Sequence, residues 1–202
     1  MPIGGYVIRH HDQIRDLFAS LLNDVANDVR IEPSLQPLTG EILNRGANRE
    51  NDARLDVAAR GFWQRCKMAF FDIRVFNPFA KSHLKKSLES VFRSNEASKK
   101  REYNNRVIQI EHGTFTPVVM SSFGGFGIET DRFVSKLVEK VAEKKDCERS
   151  LVANYIHTKV SFELVRSQVN CIRGSRSLWK KPQMNTGEIE VVQNDSNIEE
   201  RR

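Results

Sequence analysis

The chain has 202 residues and a mass of 23.2 kDa, enough for one domain, or for one domain with a tail. Hydrophobic residues make up 39% and charged residues 29%, a composition typical of a globular protein in water. No apolar run approaches the roughly 20 residues of a membrane-spanning helix, and the N-terminus lacks the pattern of a secretory signal. The three cysteines, Cys66, Cys147 and Cys171, are far apart. Their number and spacing argue against a disulfide scaffold or a zinc module and favour a reducing compartment.

The charge of the chain is unevenly distributed. The formal net charge is +6, but residues 187–202 contain five acidic and two basic residues and carry −3, which leaves +9 on the rest. A basic body suggests a polyanionic partner, with nucleic acid as the first choice. The alternative is an ordinary basic surface with no such partner.

The hydrophobic pattern predicts an alternation of helices and strands, here in chain order. We expect a helix at 8–29, a short strand at 29–32, a loop at 33–52, strands at 53–59 and 68–76, a long helix at 84–110, a strand at 115–122, and helices at 130–145 and 149–173. This order predicts an α/β domain over residues 1–176, with a small mixed β-sheet flanked by helices and additional C-terminal helices. Residues 177–202 are polar and acidic and are predicted to be a disordered tail.

Asp56 and Asp72 are the most informative pair of residues. Each lies inside an apolar predicted strand, where aspartate is depleted. If the strands are antiparallel neighbours, a register exists that places the carboxylates side by side, and their repulsion is relieved by a bound cation such as Mg²⁺. Arg74, two residues after Asp72, lies on the same strand face and could bind a phosphate. The alternative is that Asp56 pairs with Arg54 or Arg74, and Asp72 with Arg74, as ion pairs on the sheet surface.

The residues around these aspartates resemble a known pattern. Arg54-Leu55-Asp56, a gap of 15 residues and Asp72-Ile73-Arg74 are similar to the PD-(D/E)xK pattern of restriction-like nucleases. More closely, six segments resemble the restriction-like endonuclease domain at the C-terminus of site-specific non-LTR retrotransposon polyproteins: residues 4–16, 53–61, 70–78, 99–103, 113–117 and 172–176. The resemblance covers most of the chain, and its most specific parts are the Arg-His helix start and the Asp56/Asp72 strand pair.

The resemblance implies a restriction-endonuclease-like core and a metal-dependent DNA endonuclease that nicks its target. The cofactor would be Mg²⁺ or Mn²⁺, held by Asp56 and Asp72. The implied substrate is double-stranded DNA, with element RNA or a reverse transcriptase as a further partner in the full-length polyprotein. No membrane partner is expected, and a nuclear location follows from the presumed DNA substrate.

The sequence departs from the family pattern in two ways. The zinc knuckle and reverse transcriptase of the family would precede Met1, so we expect a detached module or a truncated copy. Arg74 occupies the usual lysine position, and because arginine stays protonated it cannot act as a base. In this family the lysine is thought to lie on the following helix, where Lys99 or Lys100 could serve. The sequence does not choose between them, and both could belong to a solvated helix face.

Other residues are weaker candidates. Asp16, on the first helix, is a possible additional metal ligand, with a solvent-facing acid as the alternative. His10 and His11 are expected to pack or to contact the DNA backbone, since no third metal ligand is evident. The predicted DNA contacts are Arg9, His10, Arg54, Arg101, Tyr103, Arg173 and Arg176.

Two other functions remain open at this stage. A mobile-element remnant could keep the fold and bind nucleic acid without cleaving it. A structural interaction protein that uses the C-terminal helices is the third hypothesis, with the acidic tail screening the basic body.

Overall fold

A four-stranded mixed sheet with helices on both faces forms the centre of the fold. The structure is a computed structural model that describes residues 4–36 and 53–173. Its elements, in chain order, are α1 (Gly4–Asn23), β1 (Asn27–Ile31), β2 (Val57–Arg60), β3 (Met68–Phe76), α2 (Leu88–Lys99), a π-helical turn (Lys100–Asn104), α3 (Asn105–Gln109), β4 (Thr114–Ser121), α4 (Ile128–Lys145) and α5 (Arg149–Arg173). The predicted α/β class is confirmed. The predicted tail at 177–202 and most of the predicted loop at 33–52 lie outside the described residues.

The order of the strands in the sheet is the order in the chain, β1-β2-β3-β4. β1 pairs with β2 and β2 with β3 in antiparallel fashion, whereas β3 and β4 are parallel. Parallel neighbours need a crossover connection. Here α2, the π-helical turn and α3 provide it, which carries these helices across one face of the sheet.

Several predicted boundaries differ from the structure. The first helix ends at Asn23 instead of 29, because the following residues form β1 against β2. β2 begins at Val57, later than the predicted 53, and the preceding residues form only an isolated bridge between Ser34 and Arg54. The predicted long helix begins at Leu88, where the Ser87 hydroxyl accepts a hydrogen bond from the Ser90 backbone N–H at 3.2 Å. No helix in the described ranges combines the length and the apolar character needed to cross a membrane.

The two faces of the sheet have separate hydrophobic cores. On one face, Phe71 and Ile73 pack among buried residues of α1, α4 and α5. On the other face, Phe70 packs with Tyr103 of the π-helical turn and Val107 of α3. Since side chains alternate along a strand, Asp72 belongs to the face of Phe70. The fold therefore places Asp72 beneath the crossover helices.

Candidate functional site

Asp56 and Asp72 lie close together where β2 begins. Asp56 directly precedes β2, and the ladder between β2 and β3 ends at the pairing of Val57 with Phe71. The Asp56 backbone N–H donates to the Phe71 carbonyl at 3.1 Å, so Asp56 lies beside Phe71 and outside the regular ladder. Its carboxylate is near enough to Asp72 to raise the pKa of that group.

The carboxylate of Asp56 accepts a backbone hydrogen bond from β3 where β2 no longer pairs with it. Its Oδ2 accepts a hydrogen bond from the Ile73 backbone N–H at 2.5 Å, beyond the last pairing of β2 with β3. The same oxygen lies 3.1 Å from Nε2 of His11, which comes from α1. His11 Nε2 is also 3.1 Å from the Ile73 carbonyl. Hydrogen bonds of Asp56 therefore link the start of β2 to the middle of β3 and to α1.

His11 carries a positive charge at neutral pH in this arrangement. Its hydrogen bond to Asp56 raises the pKa of His11 to about 9, against the opposing effect of partial burial, and the Asp56 and Asp12 carboxylates add to the rise. The imidazolium donates to Asp56 through Nε2, and its Nδ1 lies 3.5 Å from Asp12. The charge of Asp56 is therefore already balanced by a side chain of the protein.

The His11–Asp56 pair predicts how the free energy of unfolding depends on pH. His11 has a pKa of about 9 in the folded protein and 6.5 as its ordinary value. Because the folded value is higher, the contribution is complete below pH 6.5 and is lost as the pH rises through 9. We expect a loss of about 1–2 kcal/mol across this interval, after discounting for partial exposure of the ring.

Urea unfolding between pH 6.5 and 9.5, in EDTA, measures this loss. The interval also lies above the folded pKa of Asp72, which is about 6, so that group contributes little to the change. His11→Gln is the control, and its unfolding free energy should vary less over the same interval. Equal pH dependence in the variant and the parent would show that the ion pair is not the cause.

Asp72 is paired with Lys99, the last residue of α2. The Lys99 ammonium is 2.9 Å from Asp72 Oδ2 and 3.2 Å from Oδ1. Asp72 is only 5% exposed, and its side chain lies in the space beneath the crossover helices. A carboxylate buried to this degree needs a cation nearby, and Lys99 supplies it.

The surroundings of Asp72 raise its affinity for a proton. Burial raises the pKa of Asp72 to about 6, the Lys99 ammonium opposes this rise, and the Asp56 carboxylate adds to it. Oδ2 is within ion-pair distance of Lys99, but no donor in the described residues makes a well-aligned hydrogen bond to it. Oδ2 of Asp72 is therefore buried beside the Lys99 ammonium without a well-aligned hydrogen bond.

The two adjacent lysines at the end of α2 contact different carboxylates. Lys99 ends α2 and reaches Asp72, whereas Lys100 begins the π-helical turn and its ammonium lies 2.7 Å from Glu129 of α4. Tyr103 of the same turn is buried, its ring centroid lies 5.5 Å from the Lys99 ammonium, and burial followed by the Asp72 charge raises its pKa. π-Helical turns occur often at functional sites, and this one places Tyr103 beside the Lys99 ammonium.

The other predicted site residues with described side chains lie further from this cluster. Arg74 is exposed on β3, and within the described residues the structure gives it no ion pair. Arg54 is half exposed and lies 3.8 Å from Glu32. Arg101 is exposed. The Asp16 carboxylate is 56% exposed and accepts a hydrogen bond from Arg15 at 3.0 Å.

For four of the predicted DNA-contacting residues, the structure gives no side-chain position. Arg9 and His10 belong to α1, and Arg173 ends α5, but their side chains are not described. Arg176 lies outside the described residues. The role of these residues stays a prediction.

The carboxylate pair fits a hard divalent cation by its donor chemistry. Mg²⁺ takes oxygen ligands and often uses only one or two carboxylates. Asp56 and Asp72 offer two, and the Oδ2 atom of Asp72 receives no hydrogen bond. Within residues 4–36 and 53–173, no group of three or more His, Cys, Asp or Glu side chains is arranged to hold a metal. Asp16 therefore does not complete such a group with the pair.

His11 is the site residue whose contact sequence reasoning missed. Its partner Asp56 is 45 positions away in the chain. The sequence suggested packing or a DNA contact for this histidine, and no local pattern indicates a carboxylate partner. The only sequence feature that pointed toward this contact was the position of His11 on an amphipathic predicted helix.

In comparisons with known proteins, no protein-family model matches the chain and no curated protein matches it significantly.

Proposed function

We propose that this protein is a metal-dependent DNA endonuclease of restriction-like fold, derived from a non-LTR retrotransposon. The observation that carries the proposal is the neighbouring carboxylates of Asp56 and Asp72, with the Lys99 ammonium 2.9 Å from Asp72. Two neighbouring carboxylates can hold a metal that supports phosphodiester hydrolysis, and a lysine beside them can position water or supply a proton. The resemblance of the sequence to the retrotransposon endonucleases supports the same assignment.

Each group in the cluster has a role in this proposal. Asp56 and Asp72 would hold Mg²⁺ or Mn²⁺, whose chemistry when bound is charge stabilisation at the phosphoryl oxygens. Lys99 orients the attacking water or protonates the leaving oxygen, because its ammonium reaches both oxygens of Asp72. Arg74, exposed on the same strand face as Asp72, neutralises the scissile phosphate.

Metal binding would compete with contacts that the carboxylates already make. His11 holds Asp56 and Lys99 holds Asp72. The ammonium of Lys99 sits on a flexible stem and can withdraw from the carboxylate. The proposal therefore includes a rearrangement of Lys99 from a partner of Asp72 to a partner of the substrate.

Nicking of supercoiled plasmid by the purified protein tests the function. We expect relaxed circles in Mg²⁺ or Mn²⁺ and none in EDTA. Double-stranded DNA is the proposed substrate, and a nuclear location follows from it. A folded protein that leaves the plasmid supercoiled with both metals contradicts the proposal.

A second function is favoured by one specific observation. Both carboxylates already contact a cationic side chain, so the charge of the cluster is balanced without a metal. This arrangement also suits a remnant of the same fold that binds nucleic acid and does not cleave it. Salt-dependent binding of DNA by a folded protein that never nicks would establish this alternative.

A further inference from the structure

A cleft of about 540 Å³ opens at the other end of β2 and β3 from the two aspartates. It lies beside the connection between these strands, where Arg60 pairs with Met68. The lining contains none of Asp56, Asp72 and Lys99, although Ala58 and Phe70 of the lining are each two residues from one of the aspartates. The cleft is therefore a different set of side chains on the sheet face of Asp72. Its size is that of a site for a nucleotide-sized ligand.

The walls of the cleft combine an apolar floor with a basic rim. Three side chains from the sheet line the floor: half-buried Met68, and Ala58 and Phe70, which expose 5% or less. The rim carries four side chains that are cationic at neutral pH: Arg30, Arg60, Arg65 and Lys67. Glu111 is the acidic residue in the lining, and its carboxylate accepts a hydrogen bond from the Gln36 backbone N–H at 2.7 Å. The lining as a whole is positive.

Protein carboxylates neutralise only part of this charge. Arg30 binds both oxygens of Asp28, at 2.8 and 2.7 Å, and Arg60 lies 3.3 Å from the same carboxylate. Arg65 and Lys67 have no carboxylate partner within the part of the chain that the structure describes. Lys67 is half-buried and Arg65 is exposed. These two cations are available to an anionic ligand.

We propose that this cleft binds single-stranded nucleic acid. An apolar floor accepts the face of an unpaired base, and rim cations accept the flanking phosphates, the combination that single-strand sites use. A duplex keeps its bases stacked inside and would leave the floor unused. The proposal does not rest on cleavage, because it uses none of Asp56, Asp72 or Lys99.

Cys66 provides a probe inside the cleft. It lies between Arg65 and Lys67 and its thiol is exposed. In a Cys147→Ser/Cys171→Ser background it is the single thiol. We expect a 12-nucleotide single-stranded oligonucleotide to slow alkylation of Cys66 by a maleimide. A Cys66→Ser/Cys171→Ser protein, in which exposed Cys147 is the target, is the matched control and should label at an unchanged rate.

Charge-removing variants supply a second readout. Arg65→Gln/Lys67→Gln should weaken oligonucleotide binding about tenfold and lower the slope of log affinity against log salt by about 1.4, since each phosphate contact on a single strand contributes about 0.7. Lys85→Gln/Lys86→Gln removes the same charge from an exposed turn before α2 and should change the slope less. Thermal melting checks that both variants fold, and the Cys66 measurement does not depend on them.

Three outcomes would overturn the proposal. The first is unchanged labelling of Cys66 at saturating oligonucleotide. The second is equal protection by a mononucleotide at the same concentration, which would assign the cleft to a small ligand. The third is protection by duplex alone, which would make the cleft part of a duplex-binding surface. The labelling and binding experiments are run in EDTA, where no metal-dependent cleavage occurs. Their results therefore test the cleft even if the protein proves not to be a nuclease.

Discussion

Asp72→Asn is expected to abolish metal-dependent nicking while the protein stays folded. The substitution keeps the shape of the side chain but removes the charge that would hold a divalent cation beside Asp56. Loss of the several kcal/mol that a bound metal contributes to phosphoryl chemistry corresponds to a fall in rate of at least about 10³. The measurement is the rate of conversion of supercoiled plasmid to relaxed circles at saturating Mg²⁺.

The fold should tolerate this substitution for a physical reason. Burial raises the pKa of Asp72 to about 6, which means that the charged form is disfavoured at this position. A neutral amide removes that penalty, and the Lys99 ammonium can turn toward solvent on its flexible stem. We therefore expect the free energy of unfolding to fall by no more than about 1 kcal/mol, or to rise.

Asp24→Asn is the matched control for this experiment. It makes the same chemical change at a half-exposed carboxylate that pairs with Lys145 at 3.3 Å. Its nicking rate should equal that of the parent. If Asp72→Asn nicks as fast as Asp24→Asn, the carboxylate pair is not the active site.

Lys99→Met is expected to reduce the nicking rate at least about 10²-fold, the usual contribution of a positioned acid or base. Methionine preserves the apolar stem that lies near Tyr103 and removes only the ammonium. Binding of plasmid in EDTA should change little, because one cation among many contributes little to overall affinity. The rate under saturating metal and DNA is the quantity to compare.

Lys100→Met is the control that the chain itself offers. The two lysines are adjacent, but Lys100 pairs with Glu129 and is 42% exposed, so its loss should cost little stability and little activity. The sequence alone left the choice between them open. A larger loss of nicking from Lys100→Met than from Lys99→Met would refute the role given to Lys99.

The elements that depend on local pattern could be predicted from the sequence. The strand at 68–76 has the predicted bounds, and the helix predicted at 149–173 is α5. The apolar periodicity and the stop at Asn77-Pro78 are properties of short segments, which explains this success. The unusual presence of Asp56 and Asp72 in apolar strands likewise marked them as a pair before their register was known.

What the sequence determined by itself was the α/β class, most of the elements and the two carboxylates. Only the tertiary structure decided that Lys99 reaches Asp72 while Lys100 reaches Glu129, and that His11 reaches Asp56. Adjacent residues of a helix point about 100° apart, so the rotation of the docked helix chooses between them. That rotation depends on packing between residues far apart in the chain, and no local periodicity encodes it.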